Sequence, residues 1–224
     1  MVNNSEILTY LQTFLTTHRI ERFKEILSQR TRYFTVAIED VYQPHNASAI
    51  LRSCEVFGIQ DVHIIEKNYV FKNSKQVSKN ANKWLNTYKY RDYKNNSLAC
   101  IDILKKKGYQ IVATTPHTDS CLLQNFDITK KAAFFFGVEK EGLSDDVLKN
   151  ADVALKIPMY GFTESLNISV AAAIVLQHCS TKLHQSEIDW QLSETEKQNL
   201  ELEWTKKTIK DVDNIVERYL ENKK

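Results

Sequence analysis

Apolar residues recur along the chain with two different periods, and this pattern predicts a mixture of strands and helices. Short apolar runs predict five buried strands, at 33–39, 62–66, 109–115, 132–138 and 153–158. The helical period predicts helices at 5–30, 46–57, 97–108 and 167–182. Near-continuous apolar strands that alternate with helices are typical of a parallel α/β sheet with helices on both faces.

The ends of the chain lie outside this alternation and predict helical extensions of one α/β core. We expect an N-terminal extension at 1–32, a core domain at 33–183 and a charged C-terminal extension at 184–224. Ser193 and Glu196 have the spacing of a capping box. One apolar stripe is predicted in the last segment, formed by Ile209, Val212, Val216 and Tyr219.

Composition excludes several classes of protein. Only 5 of the 224 residues are glycine, and neither GxGxxG nor GxxxxGKS/T occurs, which argues against a Rossmann dinucleotide fold and a P-loop NTPase. No apolar run approaches the roughly 20 residues that cross a bilayer, and no basic segment precedes an apolar stretch at the N-terminus. The four cysteines form no CxxC pair, so we expect a cytoplasmic protein with reduced thiols and no metal site.

A basic and aromatic stretch between Lys67 and Lys94 favours a polyanionic partner. Lysines neutralise phosphates, and the interleaved aromatic rings can stack on unpaired bases. Only Asp92 opposes the basic residues, which are Lys67, Lys72, Lys75, Lys79, Lys83, Lys89, Arg91 and Lys94. A solvated surface whose aromatic residues pack inward explains this stretch equally well.

Polar clusters follow three of the predicted strands. In the first, 43–58, we expect Asn46 to cap a helix and Arg52 to face away from the sheet, with its guanidinium leaning back toward Asn46. Gly58 is expected to end that helix in a left-handed conformation. Taken alone, this cluster is equally consistent with an ordinary cap and an ordinary surface arginine.

The second and third clusters, 134–144 and 157–176, also begin where a strand ends. Gly137 allows a ligand or another backbone segment to approach closely. Ser165 and Asn167 stand at the start of an apolar helix, where either could serve as its cap. Because ligands bind beyond the carboxyl ends of parallel strands, we expect the three clusters to converge.

Together the three clusters resemble the three sequence motifs of the SpoU branch of the SPOUT RNA methyltransferases. The motifs read NASAILRSCEVFG, FFFGVEKEGLS and IPMYGFTESLNISVAAAIVL. The resemblance covers residues 33–182, most of the chain. EDVYQPHNASAILRSCE and NANKWLNTYKY are most similar to the subgroup that methylates the ribose 2′-hydroxyl of a D-loop guanosine in tRNA.

This resemblance implies a parallel sheet with a C-terminal deep trefoil knot, a homodimer, and S-adenosylmethionine as methyl donor without a metal. The positions that match the family's cofactor-binding residues are Thr114, Thr115, Gly137, Val138, Glu139, Ile157, Met159, Leu166 and Asn167. RNA contacts are expected from Arg52, Lys67, Lys72, Lys75, Lys79, Lys83, Lys89 and Arg91.

The implied reaction is an in-line methyl transfer, for which the protein must position the hydroxyl and relieve it of its proton. The positions that match the family's catalytic residues are Arg52, Asn46, Glu139, Ser165 and Asn167. Arg52 is either a general base or a ligand of the adjoining phosphate and developing alkoxide. The second role fits better, because arginine keeps its proton in proteins. A ribosomal RNA methyltransferase of the same branch and a non-catalytic RNA-binding protein are the alternatives.

Overall fold

The computed structural model describes residues 3–71, 81–116, 120–138 and 141–223. The chain folds into two compact units. The larger unit is Thr31–Trp190, and the smaller one combines Met1–Arg30 with Gln191–Lys224. Within the described ranges, no helix has the length and apolar character that crossing a bilayer requires.

The larger unit contains a parallel sheet, as the sequence predicts. Its strands are β1 (Phe34–Glu39), β2 (Asp61–Ile65), β3 (Asn86–Tyr90), β4 (Gln110–Thr114), β5 (Cys121–Leu122), β6 (Ala132–Phe136) and β7 (Val153–Lys156). Their order across the sheet is β3-β2-β1-β6-β4-β7-β5, and every neighbouring pair is parallel. The carboxyl ends of all these strands therefore meet at one edge of the sheet.

Two strands were not predicted, and both lie at the outer edges of the sheet. β3 contains the polar sequence NTYKY and leaves most of its side chains outside the core, so it lacks the apolar run of a buried strand. β5 spans only two residues. Neither carries a pattern long enough to show a period of two.

Helices cover both faces of the sheet. They are α3 (Pro44–Val56), α4 (Asn96–Lys106), α5 (Asp145–Asn150) and α6 (Ile168–His184). Phe134 belongs to one core with Leu51 of α3 and Leu176 of α6. Its neighbour Phe135 belongs to a second core with Leu104 of α4. Because successive strand residues point to opposite faces, β6 contributes to both cores and is buried throughout.

The start of α3 corrects the prediction that Asn46 caps this helix. The residue in the cap position is Gln43, which makes no side-chain capping hydrogen bond, and Pro44 begins the helix. Proline suits the first helical position because its φ angle is already helical and its missing N–H is not needed there. Asn46 instead lies in the first turn, buried. The other end matches the prediction, since Gly58 follows the helix with a φ of +78°.

The smaller unit is helical. It contains α1 (Asn4–Gln12), α2 (Thr17–Leu27), α7 (Glu194–Thr208) and α8 (Val212–Glu221). The predicted helical segment 5–30 is divided at Thr16, whose side chain caps α2. The capping box of Ser193 and Glu196 is confirmed. The predicted apolar stripe is confirmed as well, because Val212 and Val216 pack against a cluster that contains Leu8, Leu11 and Leu202.

A tight turn follows β6. Gly137 leaves no space for a side chain, since an added Cβ would lie 2.2 Å from the carbonyl oxygen of Gly142 and 2.4 Å from the nitrogen of Leu143. The amide of Gly142 donates a hydrogen bond of 2.9 Å to the carbonyl oxygen of Val138. The expectation that another segment approaches Gly137 closely is thus met by the chain's own backbone.

The Gly137→Ala substitution is predicted to lower the free energy of unfolding by about 1–3 kcal/mol, because the added methyl group meets backbone atoms that cannot rotate away. Urea unfolding followed by circular dichroism measures this change. Gly161→Ala is the matched control, since an added Cβ there meets nothing within 4 Å. We expect the control to change stability by less than about 0.5 kcal/mol. Equal stabilities of the two variants would contradict the close contact.

Candidate functional site

The carboxyl ends of β4, β6 and β7 and the start of α6 surround a cavity of about 310 Å³, which we call the larger cavity. Its walls include seven of the expected cofactor positions, Thr114, Thr115, Gly137, Val138, Ile157, Met159 and Leu166. Glu139, expected in both the cofactor and the catalytic sets, lies outside the described residues. Segments that are far apart in the sequence therefore form one binding space.

The larger cavity is mostly apolar, with a few polar groups near its rim. Leu143, Leu155 and Ile168 contribute aliphatic surface, while Ser165 is exposed at the rim. The hydroxyl of Thr114 donates to the carbonyl oxygen of Phe135 at 2.7 Å, so its proton is used within the protein. Apolar walls with a few polar groups are typical of a site for a small molecule.

A second, smaller cavity of about 260 Å³ adjoins the first. It is lined by Val41, Tyr42, Gln43, Asn46, Tyr69, Val138, Glu141 and Ile168. Val138, Glu141 and Ile168 line both cavities. The two spaces therefore share a wall, and a group bound in one lies next to a group bound in the other.

Asn46 and Asn167 connect the first and third loop clusters directly. The amide nitrogen of Asn167 donates to the side-chain oxygen of Asn46 at 3.2 Å. The oxygen of Asn167 accepts hydrogen bonds from the backbone N–H and the hydroxyl of Ser169, at 2.9 and 2.6 Å. Asn167 is thus the cap of α6, one of the two alternatives that the sequence left open, and it also holds Asn46 beside the smaller cavity.

A buried glutamate at the end of β1 fixes two helices near the site. The carboxylate of Glu39 accepts hydrogen bonds from the hydroxyl of Ser97, at 2.5 Å, and from the hydroxyl and backbone N–H of Ser144, at 2.6 and 2.8 Å. Ser97 belongs to α4, and Ser144 precedes α5. Sequence reasoning missed this residue, whose only signal is an acidic side chain that directly follows a buried apolar run.

The next residue, Asp40, holds the loop after β2. Its φ of +53° places a non-glycine residue in the left-handed region, at a cost that the surrounding hydrogen bonds offset. One carboxylate oxygen accepts from the backbone N–H groups of Lys67, Asn68 and Tyr69, at 3.0, 2.7 and 2.9 Å. This residue was also missed, because nothing local in the sequence indicates which distant amides it binds.

Arg52 does not line either cavity. It is exposed, as expected, and lies in a shallow groove between α3 and α6. This groove also presents the apolar side chains of Val56, Val170 and Ile174, which are 64%, 45% and 37% exposed. Within one chain, the structure thus leaves Arg52 apart from the cavities that the other loop residues form.

The expected RNA-binding residues are distributed along the sheet. Lys67 and Arg91 are exposed just after β2 and β3, near the carboxyl edge, and Lys89 is exposed within β3. Lys83 precedes β3 at the opposite end, with its ammonium 4.8 Å from the ring centre of Trp84. The remaining expected positions, Lys72, Lys75 and Lys79, lie outside the described residues.

His63 adds no positive charge to this surface. Burial, with a smaller contribution from nearby Lys107, lowers the pKa of His63 to about 4, so the ring is neutral near pH 7. Its Nδ1 lies 2.8 Å from the hydroxyl oxygen of Tyr90, which is buried, whereas Tyr93 is exposed. The aromatic residues of this stretch thus divide between the core and the surface. In the described part of the chain, no group of His, Cys, Asp and Glu side chains could hold a metal ion.

Comparison with known proteins adds three findings. A curated tRNA (guanosine(18)-2′-O)-methyltransferase from Borreliella burgdorferi is 42% identical over 209 residues, which cover 92% of this chain and 94% of that protein. The crystal structure of the A. aeolicus TrmH/SpoU tRNA modifying enzyme is 28% identical, with a TM-score of 0.77, and covers 87% of this chain and 98% of its own. AviRb from Streptomyces viridochromogenes, in complex with AdoMet, has the same fold at 20% identity, with a TM-score of 0.60 over 72% of this chain and 65% of its own.

The sequence profile of the SpoU rRNA Methylase family matches residues 33–177. This range includes all three loop clusters and the sheet edge where they meet. The motif resemblance, the parallel sheet and the long alignment with a curated relative agree with this match. The chain belongs to the SpoU rRNA Methylase family.

Proposed function

We propose that the protein transfers the methyl group of S-adenosylmethionine to the 2′-hydroxyl of a guanosine in tRNA. The observation that carries this proposal is the larger cavity, which unites the expected cofactor positions of separate loops beside Asn46. The 42% identical relative supports tRNA guanosine as the substrate. The relative of the same fold that was solved with AdoMet supports the methyl donor.

In this proposal, the larger cavity holds the donor, which supplies a methyl group already activated by a sulfonium. The apolar walls around Ile157, Met159 and Leu166 exclude water, and Gly137 and Val138 form part of the same cavity wall. Ser165 at the rim and Asn46 at the adjoining cavity face the space where the ribose would bind. The protein's main contribution is then to position the hydroxyl and to stabilise the charge that develops on its oxygen.

The proposal gives Arg52 the role of binding the adjoining phosphate and the developing alkoxide. Because Arg52 does not line the cavities of its own chain, we propose a homodimer in which it reaches the cavity of the partner. The exposed apolar side chains of Val56, Val170 and Ile174 beside it support this pairing, since a second copy would bury them.

Further parts of the proposal rest on the motif resemblance. They are the trefoil knot in the C-terminal part of the sheet, a catalytic domain at 33–183 flanked by helical extensions at 1–32 and 184–224, and a cytoplasmic location. RNA contacts from Lys67, Lys89 and Arg91 are included, since these side chains are exposed near the edge that carries the cavities.

The experiment that tests the function is transfer of a labelled methyl group from S-adenosylmethionine to whole tRNA, with the product nucleotide mapped. We expect 2′-O-methylguanosine at one position of the tRNA. Transfer to ribosomal RNA alone would replace the proposed substrate. Binding of RNA without any transfer and without affinity for S-adenosylhomocysteine would favour a non-catalytic RNA-binding protein.

In the same assay, Arg52→Lys is predicted to lower kcat at least about a hundredfold, because lysine keeps the charge but loses the bidentate geometry. Affinity for S-adenosylhomocysteine should stay unchanged in calorimetry. Arg22→Lys is the matched control, since Arg22 is exposed and paired with Glu25 at 2.6 Å. Near wild-type turnover of Arg52→Lys would show that the bidentate role is wrong.

Ile174→Glu is predicted to convert the dimer into single chains and to abolish methyl transfer, because two buried carboxylates would face the apolar groove. Sedimentation velocity measures the assembly, and calorimetry with S-adenosylhomocysteine checks that each chain remains folded. Phe14→Glu, at an exposed apolar residue of the smaller unit, should leave the assembly intact. A dimeric and active Ile174→Glu variant would contradict the proposed interface.

Affinity for tRNA is predicted to fall steeply with salt, and Lys67→Ala and Lys89→Ala should each reduce the log–log slope by about 0.7 per lost single-strand phosphate contact. Filter binding between low and physiological salt measures the slope. Lys149→Ala is the control, because Lys149 is already paired with Asp145 at 3.1 Å. If the salt slope is unchanged in both Lys67→Ala and Lys89→Ala, the surface that carries these two lysines does not bind tRNA.

A further inference from the structure

Two exposed tyrosines form a pair in the wall of the smaller cavity. The rings of Tyr42 and Tyr69 meet edge to face, with their centres 4.8 Å apart and their planes at 61°. Tyr42 is 68% exposed and Tyr69 is 44% exposed. Both line the cavity that contains Asn46. Aromatic rings that face solvent inside a cavity offer a surface on which a flat ligand can stack.

The backbone holds both tyrosines close to rigid elements. The N–H of Tyr69 donates to the buried carboxylate of Asp40 at 2.9 Å, which ties the loop after β2 to the end of β1. Tyr42 lies between that same strand end and Pro44, the first residue of α3. Because these elements position the backbone before any ligand binds, the freedom lost on stacking is mainly that of the two side chains.

The position of the pair relative to the larger cavity limits what it can bind. A methyl group moves only between atoms that are about 3–3.5 Å apart, so an acceptor ribose must lie where the two cavities meet. Val138, Glu141 and Ile168 form that shared wall. The base attached to such a ribose needs a neighbouring space with an aromatic surface, and the smaller cavity provides one.

We propose that Tyr42 and Tyr69 form a stacking platform for the base of the nucleotide that is methylated. This inference rests on the proposed function, because it takes the larger cavity as the site of the methyl donor. The base is an unpaired purine that no longer stacks on its neighbours in the RNA. Stacking on the tyrosine rings offsets the stacking energy that is lost. Gln43 and Glu141, which also line the smaller cavity, face the polar edge of the base.

The test compares alanine and phenylalanine variants at both positions. Tyr42→Ala and Tyr69→Ala are expected to lower kcat/KM for tRNA about tenfold or more, since each removes a stacking surface. Tyr42→Phe and Tyr69→Phe should stay within about threefold of wild type, because stacking needs the ring and not the hydroxyl. The double alanine variant should lose less than the product of the two single losses, because both rings act on one base.

Affinity for S-adenosylhomocysteine, measured by calorimetry, should be the same in all of these variants. Phe14→Ala, which removes an exposed ring of the smaller unit, is the matched control and should leave kcat/KM unchanged. Lower affinity for S-adenosylhomocysteine in the alanine variants would show that the rings bind the donor, and would overturn the platform. Equal losses in the phenylalanine variants would overturn it too, since the hydroxyl groups would then be responsible.

Wild-type activity separates this inference from the proposed function. If the wild-type protein methylates tRNA and both alanine variants retain its kcat/KM, the platform is wrong and the proposed function stands. If the wild-type protein transfers no methyl group to tRNA, the proposed function is wrong, and the inference that rests on it is wrong with it. Full agreement requires an active wild type, impaired alanine variants and active phenylalanine variants.

Discussion

The backbone at residues 142 and 143 passes so close to Gly137 that no side chain fits between them, and the geometry of the site depends on this contact. The turn that it closes carries Val138 and Glu141 into the walls of both cavities. The same turn leads to Ser144, whose hydroxyl and N–H bind the buried carboxylate of Glu39. The turn thus connects the cavity walls with the residue that precedes α5.

Two buried acidic side chains at the end of β1 hold the neighbouring loops in place through hydrogen bonds. Glu39 connects β1 with α4 and α5, and Asp40 connects it with the loop after β2. A buried polar group is costly unless hydrogen bonds compensate it, and in both cases several donors do so. The hydrogen bond from Tyr69 to Asp40 also holds the backbone of Tyr69 at the smaller cavity.

Arg52 lies apart from both cavities of its own chain, and in the proposed reaction this separation requires a second chain. In the proposed function, the larger cavity of one chain holds the donor, whereas the exposed Arg52 lies in an apolar groove outside that cavity. In the proposed homodimer, the site is completed only when two copies meet, so that a single chain with bound donor would not turn over. If Arg52 lies at that proposed interface, activity depends on assembly.

The sequence by itself determined the α/β class, the parallel sheet, the helix-ending glycine at 58 and the capping box of Ser193, because each depends on neighbouring residues and on local periods. The motif order also pointed to the residues that line the larger cavity. Tertiary structure alone decided that β3 joins the sheet edge and that Asp40 binds amides 27 to 29 residues away. Those outcomes depend on partners that are distant along the chain, and no local pattern of hydrophobic and polar residues encodes which distant groups will meet.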